Sequence, residues 1–177
     1  LGETLGEGAM SYSVPELEDA EVIFNMGYNA ATSHPLVARR IVRAKKKGAK
    51  IICVDPRKTE TARIADIFLQ IKGGTNMLFL CSMAHVMVTE DLVDHEFIEA
   101  HTVGFEEYAR EIADPKYAPE AVAEQTRLNP EDVRKAARLF ASSKHTMTTW
   151  GMGVTQFSQG VECVIGCSNL ALMTGNF

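Results

Sequence analysis

The sequence has few of the features that mark several common chemistries. Its four cysteines, Cys53, Cys81, Cys163 and Cys167, form no C-x-x-C pair. Cys163 and Cys167 stand four apart in a helix-like run, but a metal site needs two further ligands at suitable spacing, and none is found. A disulfide framework has no cysteine density to build on. The thiols are therefore expected to be buried and reduced, in a cytoplasmic setting. The chain carries 18 Lys and Arg against 23 Asp and Glu, a net charge of -5. That balance argues against a nucleic-acid partner, which selects a basic face. Attraction for an anionic ligand has to come from local groups rather than net charge.

Long apolar runs are also missing. The longest, Met77 to Val88, is interrupted by Ser82 and His85 and is too short to span a bilayer, so no direct membrane contact is expected. No signal peptide is seen. None of His34, His85, His95, His101 and His145 has a partner at H-x-x-x-H spacing, and no G-x-S-x-G elbow supports a hydrolase triad. His85, on an apolar run, reads as a core histidine. The chain opens Leu1-Gly2-Glu3, without an initiator methionine, and stops at Thr174-Gly175-Asn176-Phe177 with no tail. A segment of a longer polypeptide is expected.

What is present is an alternation of short β-branched runs with helical periods. Residues 1 to 19, rich in Gly and Ser, read as a lead-in with one short helix. Strands are expected over Glu21–Met26, Lys50–Val54, Asp66–Ile71 and Thr146–Trp150. Helices are expected over His34–Lys47, capped by Ser33 and stopped by Gly48, and from a capping Asn76 to Thr89. A helical insert follows: a helix capped by Asp94, then Phe105–Ile112, then Pro119–Gln125. Asn129-Pro130-Glu131-Asp132 opens a helix to Ala141, and Phe157–Met173 closes the chain. This order predicts an α/β fold: three layers, α/β/α, around a mostly parallel, Rossmann-like sheet with a helical insert, in a single domain.

In such sheets ligands bind beyond the carboxyl ends of the strands. The four strand ends run into Gly27-Tyr28-Asn29, Asp55-Pro56-Arg57, Gly73-Gly74-Thr75-Asn76 and Gly151-Met152-Gly153-Val154-Thr155-Gln156. Gly27 lets backbone approach a ligand, and the helix start after it offers unpaired N–H groups to a phosphate. Asp55 can accept hydrogen bonds from ribose hydroxyls, Arg57 can stack on a base or pair with a phosphate, and Asn76 can meet the polar edge of a base. Gly27-Tyr28-Asn29 is not the G-x-G-x-x-G fingerprint, which disfavours a plain NAD domain.

These stretches carry a resemblance. Gly27-Tyr28-Asn29-Ala30-Ala31-Thr32-Ser33-His34-Pro35, Asp55-Pro56-Arg57-Lys58-Thr59-Glu60-Thr61-Ala62, Lys72-Gly73-Gly74-Thr75-Asn76 and Trp150-Gly151-Met152-Gly153-Val154-Thr155-Gln156 resemble the molybdopterin oxidoreductases. With Leu172-Met173-Thr174-Gly175-Asn176 they look most like the catalytic subunits of formate dehydrogenases, from about Gly8 onward. The resemblance implies a bis-(molybdopterin guanine dinucleotide) cofactor on Mo or W, and an iron–sulfur cluster of the 4Fe–4S type in an earlier part of the parent. It implies that Gly27, Asn29 and Ser33 lie along the pyrophosphate, and that Asp55-Pro56-Arg57 holds ribose and guanine. Gly74 and Asn76 would line the nucleotide pocket, and Met152, Gly153 and Gln156 would approach the pterin. Relatives outside the formate branch often place Asp where Asn76 stands. The partners implied are other domains of the same subunit and an electron-transfer subunit. The family's cluster cysteines, metal ligand and catalytic Arg match nothing here, so no catalytic or metal-ligating residue is expected in this chain, and the domain by itself is expected to be inactive. The alternatives are the equivalent domain of a nitrate reductase and a nucleotide-binding module without redox chemistry.

Overall fold

A computed structural model describes residues 10–176. The first part of the expected lead-in and Phe177 lie outside those residues. The remainder of the lead-in contains one 3-10 helix, Val14–Asp19. Four strands follow the expected order: β1 (Val22–Met26), β2 (Lys50–Val54), β3 (Ile67–Leu69) and β4 (Thr146–Trp150). They form one sheet in the order β3-β2-β1-β4, and every pairing is parallel. All strands therefore end at the same rim.

Strand alternation sorts the core into two layers. Val22, Phe24 and Met26 face one side, with Ile52, Val54 and Leu69 beside them. They pack under α4 (Asn76–Thr89), α8 (Pro130–Ala141) and α10 (Gly160–Met173). Helix α4 buries nine of its side chains, as a sequence apolar nearly all round requires. Ile23 and Ile51 face the other side, against Ile41 and Ala44 of α2 (Pro35–Lys47). This second core is the smaller one. Between β3 and β4 the helical insert comprises α5 (His95–His101), α6 (Phe105–Ile112), α7 (Pro119–Thr126) and α8. Asp94 accepts from the Phe97 amide and Asn129 from the Glu131 amide, so both expected caps operate. Gly48 stops α2 at φ 112° with its N–H returned to Ala44 and Lys45.

Several boundaries differ from expectation. Ser33 does not cap the long helix. It ends a separate turn, α1 (Ala30–Ser33), and its hydroxyl donates to the Asn29 carbonyl at 3.0 Å. The cause is Pro35, which pushes His34 out of the helical region (φ -143°, ψ 73°) and splits the run in two. Asn76 is not a cap either. Thr75 holds that position, and the Asn76 side chain turns away to the Gly153 carbonyl. The third strand is shorter than Asp66–Ile71 because both ends are diverted. The Asp66 carboxylate accepts from the Ile51 amide, and Lys72 leaves to bond the Thr126 carbonyl. Between β2 and β3 lies α3 (Glu60–Ile64), capped by the Thr59 hydroxyl. The last helix begins at Gly160, not Phe157, and the expected loop before it contains a short turn, α9 (Met152–Thr155).

Candidate nucleotide-binding rim

The turn after β1 is pinned from both sides. The Gly27 amide donates to the Val54 carbonyl at 2.9 Å, and the Gly27 carbonyl accepts from the Gly153 amide at 3.1 Å. Gly27 sits at φ 57°, and a Cβ there would stand 2.7 Å from the Gly153 carbonyl carbon. Both positions thus need glycine for the same reason: two backbones cross in contact. After β2, Asp55 is 4% exposed, and its Oδ1 accepts from the Arg57 amide at 2.8 Å. That bond closes an Asx turn and leaves the second carboxylate oxygen for a ligand. Gln70 braces the same turn, donating to the Pro56 carbonyl at 3.1 Å. After β3, Asn76 donates from Nδ2 to the Gly153 carbonyl at 2.9 Å, tying the third strand end to the fourth.

These tips open into one groove of about 1480 Å³. Gly27, Asn29, Ser33, Asp55, Pro56, Arg57, Asn76, Met152 and Gly153 all line it. Two expected residues do not. Gly73 rather than Gly74 faces the groove, and Gly74 instead makes the turn at φ 85° with open space around it. Gln156 bends back toward the Met152 sulfur, 3.6 Å away, and is exposed. Within the groove the Asn29 Nδ2 donates to Thr32 Oγ1 at 3.0 Å, while its Oδ1 is buried with no partner. An orphaned acceptor of this kind is satisfied by a donor from outside the protein or by water.

Some of the lining was not visible in sequence. Tyr28 and His34 pack their rings 5.6 Å apart over the first strand end. Burial raises the Tyr28 phenol above its usual range. The groove continues past the rim along β4, where Tyr12 of the lead-in donates to the Thr148 carbonyl at 2.7 Å. Burial, with a smaller contribution from Tyr28, pushes the Tyr12 phenol up to about 12. Nothing local in Met10-Ser11-Tyr12 signals a contact with a strand so distant in sequence. Tyr28 stood inside the Gly-Tyr-Asn stretch and was legible in principle.

Neither α2 nor α4 carries a side-chain cap at its start, but in α2 Pro35 has no N–H and the Val37 amide is given to the His34 carbonyl, so it is α4 that brings a set of first-turn N–H groups to the rim. The arrangement offers amide donors for an anion, a carboxylate for a diol, a guanidinium for a base, and glycines where backbone must come close. No cluster of metal ligands occurs among the described residues, and none of their helices is long and apolar enough to cross a membrane.

The chain is similar to known proteins over nearly its whole length. The chain is 47% identical over 99% of its length to "Formate dehydrogenase H" of Escherichia coli, of which it covers 24%. It is 46% identical over 99% of its length to "F420-dependent formate dehydrogenase 1 subunit alpha" of Methanococcus maripaludis, covering 26%. A "Nitrate reductase" of Symbiobacterium thermophilum is 38% identical over 97% of the chain and is covered to 24%. The chain therefore spans about a quarter of the length of these relatives. Among solved structures, "Acetylene Hydratase from Pelobacter acetylenicus" superposes with a TM-score of 0.83 at 28% identity, over 93% of this chain and 24% of that one. The family profile for molybdopterin oxidoreductases matches residues 3–177, and the chain belongs to that family.

Proposed function

We propose that this chain is the part of a formate dehydrogenase that grips one molybdopterin guanine dinucleotide, with residues 1–177 acting as a single α/β unit. The observation that carries the reading is the convergence of four strand ends on one groove, large enough for an extended dinucleotide. Asp55 offers its free oxygen to the ribose, and Arg57 its planar cation to the guanine. Gly27 and Gly153 hold the loops after β1 and β4 in backbone contact at the floor of the groove, and the first turn of α4 supplies N–H groups to the pyrophosphate. Asn29 and Ser33 line the same side as acceptors, Asn29 through its orphaned Oδ1 and Ser33 through a hydroxyl whose proton goes to the Asn29 carbonyl, so they suit a sugar hydroxyl or a water beside the pyrophosphate. Asn76 keeps Oδ1 for the base, because its amide is spent on Gly153. Met152 lines the same groove and in this reading approaches the pterin.

When bound, the Mo– or W–pterin group accepts the two electrons released as formate becomes carbon dioxide. This chain orients and screens that group, while the metal ligand, a 4Fe–4S cluster and an electron-transfer subunit come from elsewhere in a cytoplasmic assembly. The nitrate reductase relative keeps a second reading in view: the same grip serving another substrate.

The test is Asp55→Ala in the full-length enzyme. Metal per polypeptide should fall several-fold, and the wild type should release a guanine nucleotide on denaturation. Unchanged metal content and turnover, or release of another nucleotide, would overturn the reading.

A further inference from the structure

Asn25 is a polar residue at the centre of an apolar strand and is 0% exposed. The sheet register sets it between Cys53 of β2 and Thr149 of β4. Its Nδ2 donates to the Tyr28 carbonyl at 3.0 Å and to the Cys53 sulfur at 3.7 Å. Its Oδ1 accepts from the Thr149 hydroxyl at 3.1 Å. One side chain thus joins three neighbouring strands just below the rim and reaches up to the turn that carries Gly27 and Asn29.

A buried polar set of this kind adds little net stability over apolar residues at all of its positions, although taking away one member leaves the others unpaired at a cost of about 1–3 kcal/mol. Ile23, two residues earlier on the same face, is apolar. What the amide adds is direction. The Tyr28 carbonyl is drawn down toward the sheet, so the peptide between Gly27 and Asn29 cannot rotate freely. Gly151 confines the turn from the side, because a Cβ there would lie 2.9 Å from the Tyr28 ring.

We infer that Asn25 is a positioning residue: through the Tyr28 carbonyl it fixes how the Gly27–Asn29 turn presents itself to the nucleotide in the groove. This rests on the reading of the groove proposed above. Asn25 does not touch the ligand.

Three variants of the full-length enzyme, purified with cofactor, test it. Asn25→Leu removes the tie while keeping the site filled, and Ile23→Ala weakens the same core layer at least as much, by opening a cavity, without touching the rim. Cofactor loss after dilution should be about fivefold faster in Asn25→Leu, the order expected for one lost buried hydrogen bond, and unchanged in Ile23→Ala. Unfolding midpoints should not follow that order. In Asn25→Asp the introduced carboxyl donates to the Tyr28 carbonyl while protonated and repels it once ionised. Its neighbours are the Cys53 thiol, pushed up to about 11 chiefly by burial, and the Thr149 hydroxyl, with the Asp55 carboxylate two residues beyond Cys53 on the same strand exit. Retention in that variant should fall as pH rises, whereas the wild type shows no such step. If retention tracks the unfolding midpoint across all three variants, or Asn25→Asp follows the wild-type pH profile, the inference fails. If Asp55→Ala also leaves cofactor content untouched, it is the groove itself that has been misread.

Discussion

The side-chain amide of Asn76 is committed to the Gly153 carbonyl, 2.9 Å away, and so binds the start of α4 to the loop after β4. Asn76 is buried but Gly153 is exposed, so the bond is half-buried. Asn76→Ala leaves the Gly153 carbonyl to water, and the expected cost is about 0.5–1.5 kcal/mol. The change should be local. Amide exchange across residues 151–156 should accelerate, while β1 and β2, in the middle of the sheet, stay protected. Uniform acceleration, or none, would show that the bond does not hold the loop.

Gly27 separates two costs that are usually confounded. Its φ of 57° strains any side chain, and the space beside it is filled by Gly153. Gly74 has φ 85° and open surroundings. Gly74→Ala therefore meets only the backbone penalty, roughly 1 kcal/mol. Gly27→Ala meets that and an overpacking penalty of about 1–3 kcal/mol. Denaturant unfolding of the two variants should differ by the second amount. Equal losses would mean that the Gly27–Gly153 contact relaxes at no cost.

The parts of the site that could be read in the sequence were those whose signal is local. A β-branched run ending in Gly, or in Asp-Pro, marks a strand and its exit without reference to anything distant, so Gly27, Asp55 and Gly153 could be placed on one rim. The errors arise where side chains choose between local and distant partners. Asn76 followed by an apolar run reads as a cap, but it bonds a carbonyl on another strand end. Ser33 before His34-Pro35 also reads as a cap, although the proline rule, applied one residue earlier, separates α1 from α2. Gly73 and Gly74 are indistinguishable by type, and only the turn decides which faces the groove. Asn25 gave a signal that went unused, since an amide inside Val22-Ile23-Phe24-Asn25-Met26 has to find buried partners. Tyr12 gave none, because its partner is Thr148.

Asp66 shows how an acid outside the site governs the frame that carries it. Its Oδ2 accepts from the Ile51 amide at 2.8 Å and pairs with Lys45 of α2, and Oδ1 lies 3.5 Å from Lys50. Burial works to raise this carboxyl, but the Lys45 bond, the Ile51 amide and the charges of Lys45 and Lys50 together hold it below its usual value. A carboxyl with a lowered folded-state value stabilises above its unfolded value, near 3.8, and loses that contribution as pH falls through the lower folded one. Acid should therefore loosen α2 from β2, while near neutral pH the contribution of this group is fully present and does not change with pH. Asp66→Asn keeps an acceptor for the Ile51 amide and loses the ion pairs, which are partly exposed and of small value. Asp66→Ala leaves the Ile51 amide unpaired and should cost about 1–3 kcal/mol. Unfolding followed from pH 7 to pH 3 should show Asp66→Asn close to the wild type at pH 7, with the gap narrowing in acid. A gap between the two that widens as pH falls would reverse the sign and remove Asp66 from the account.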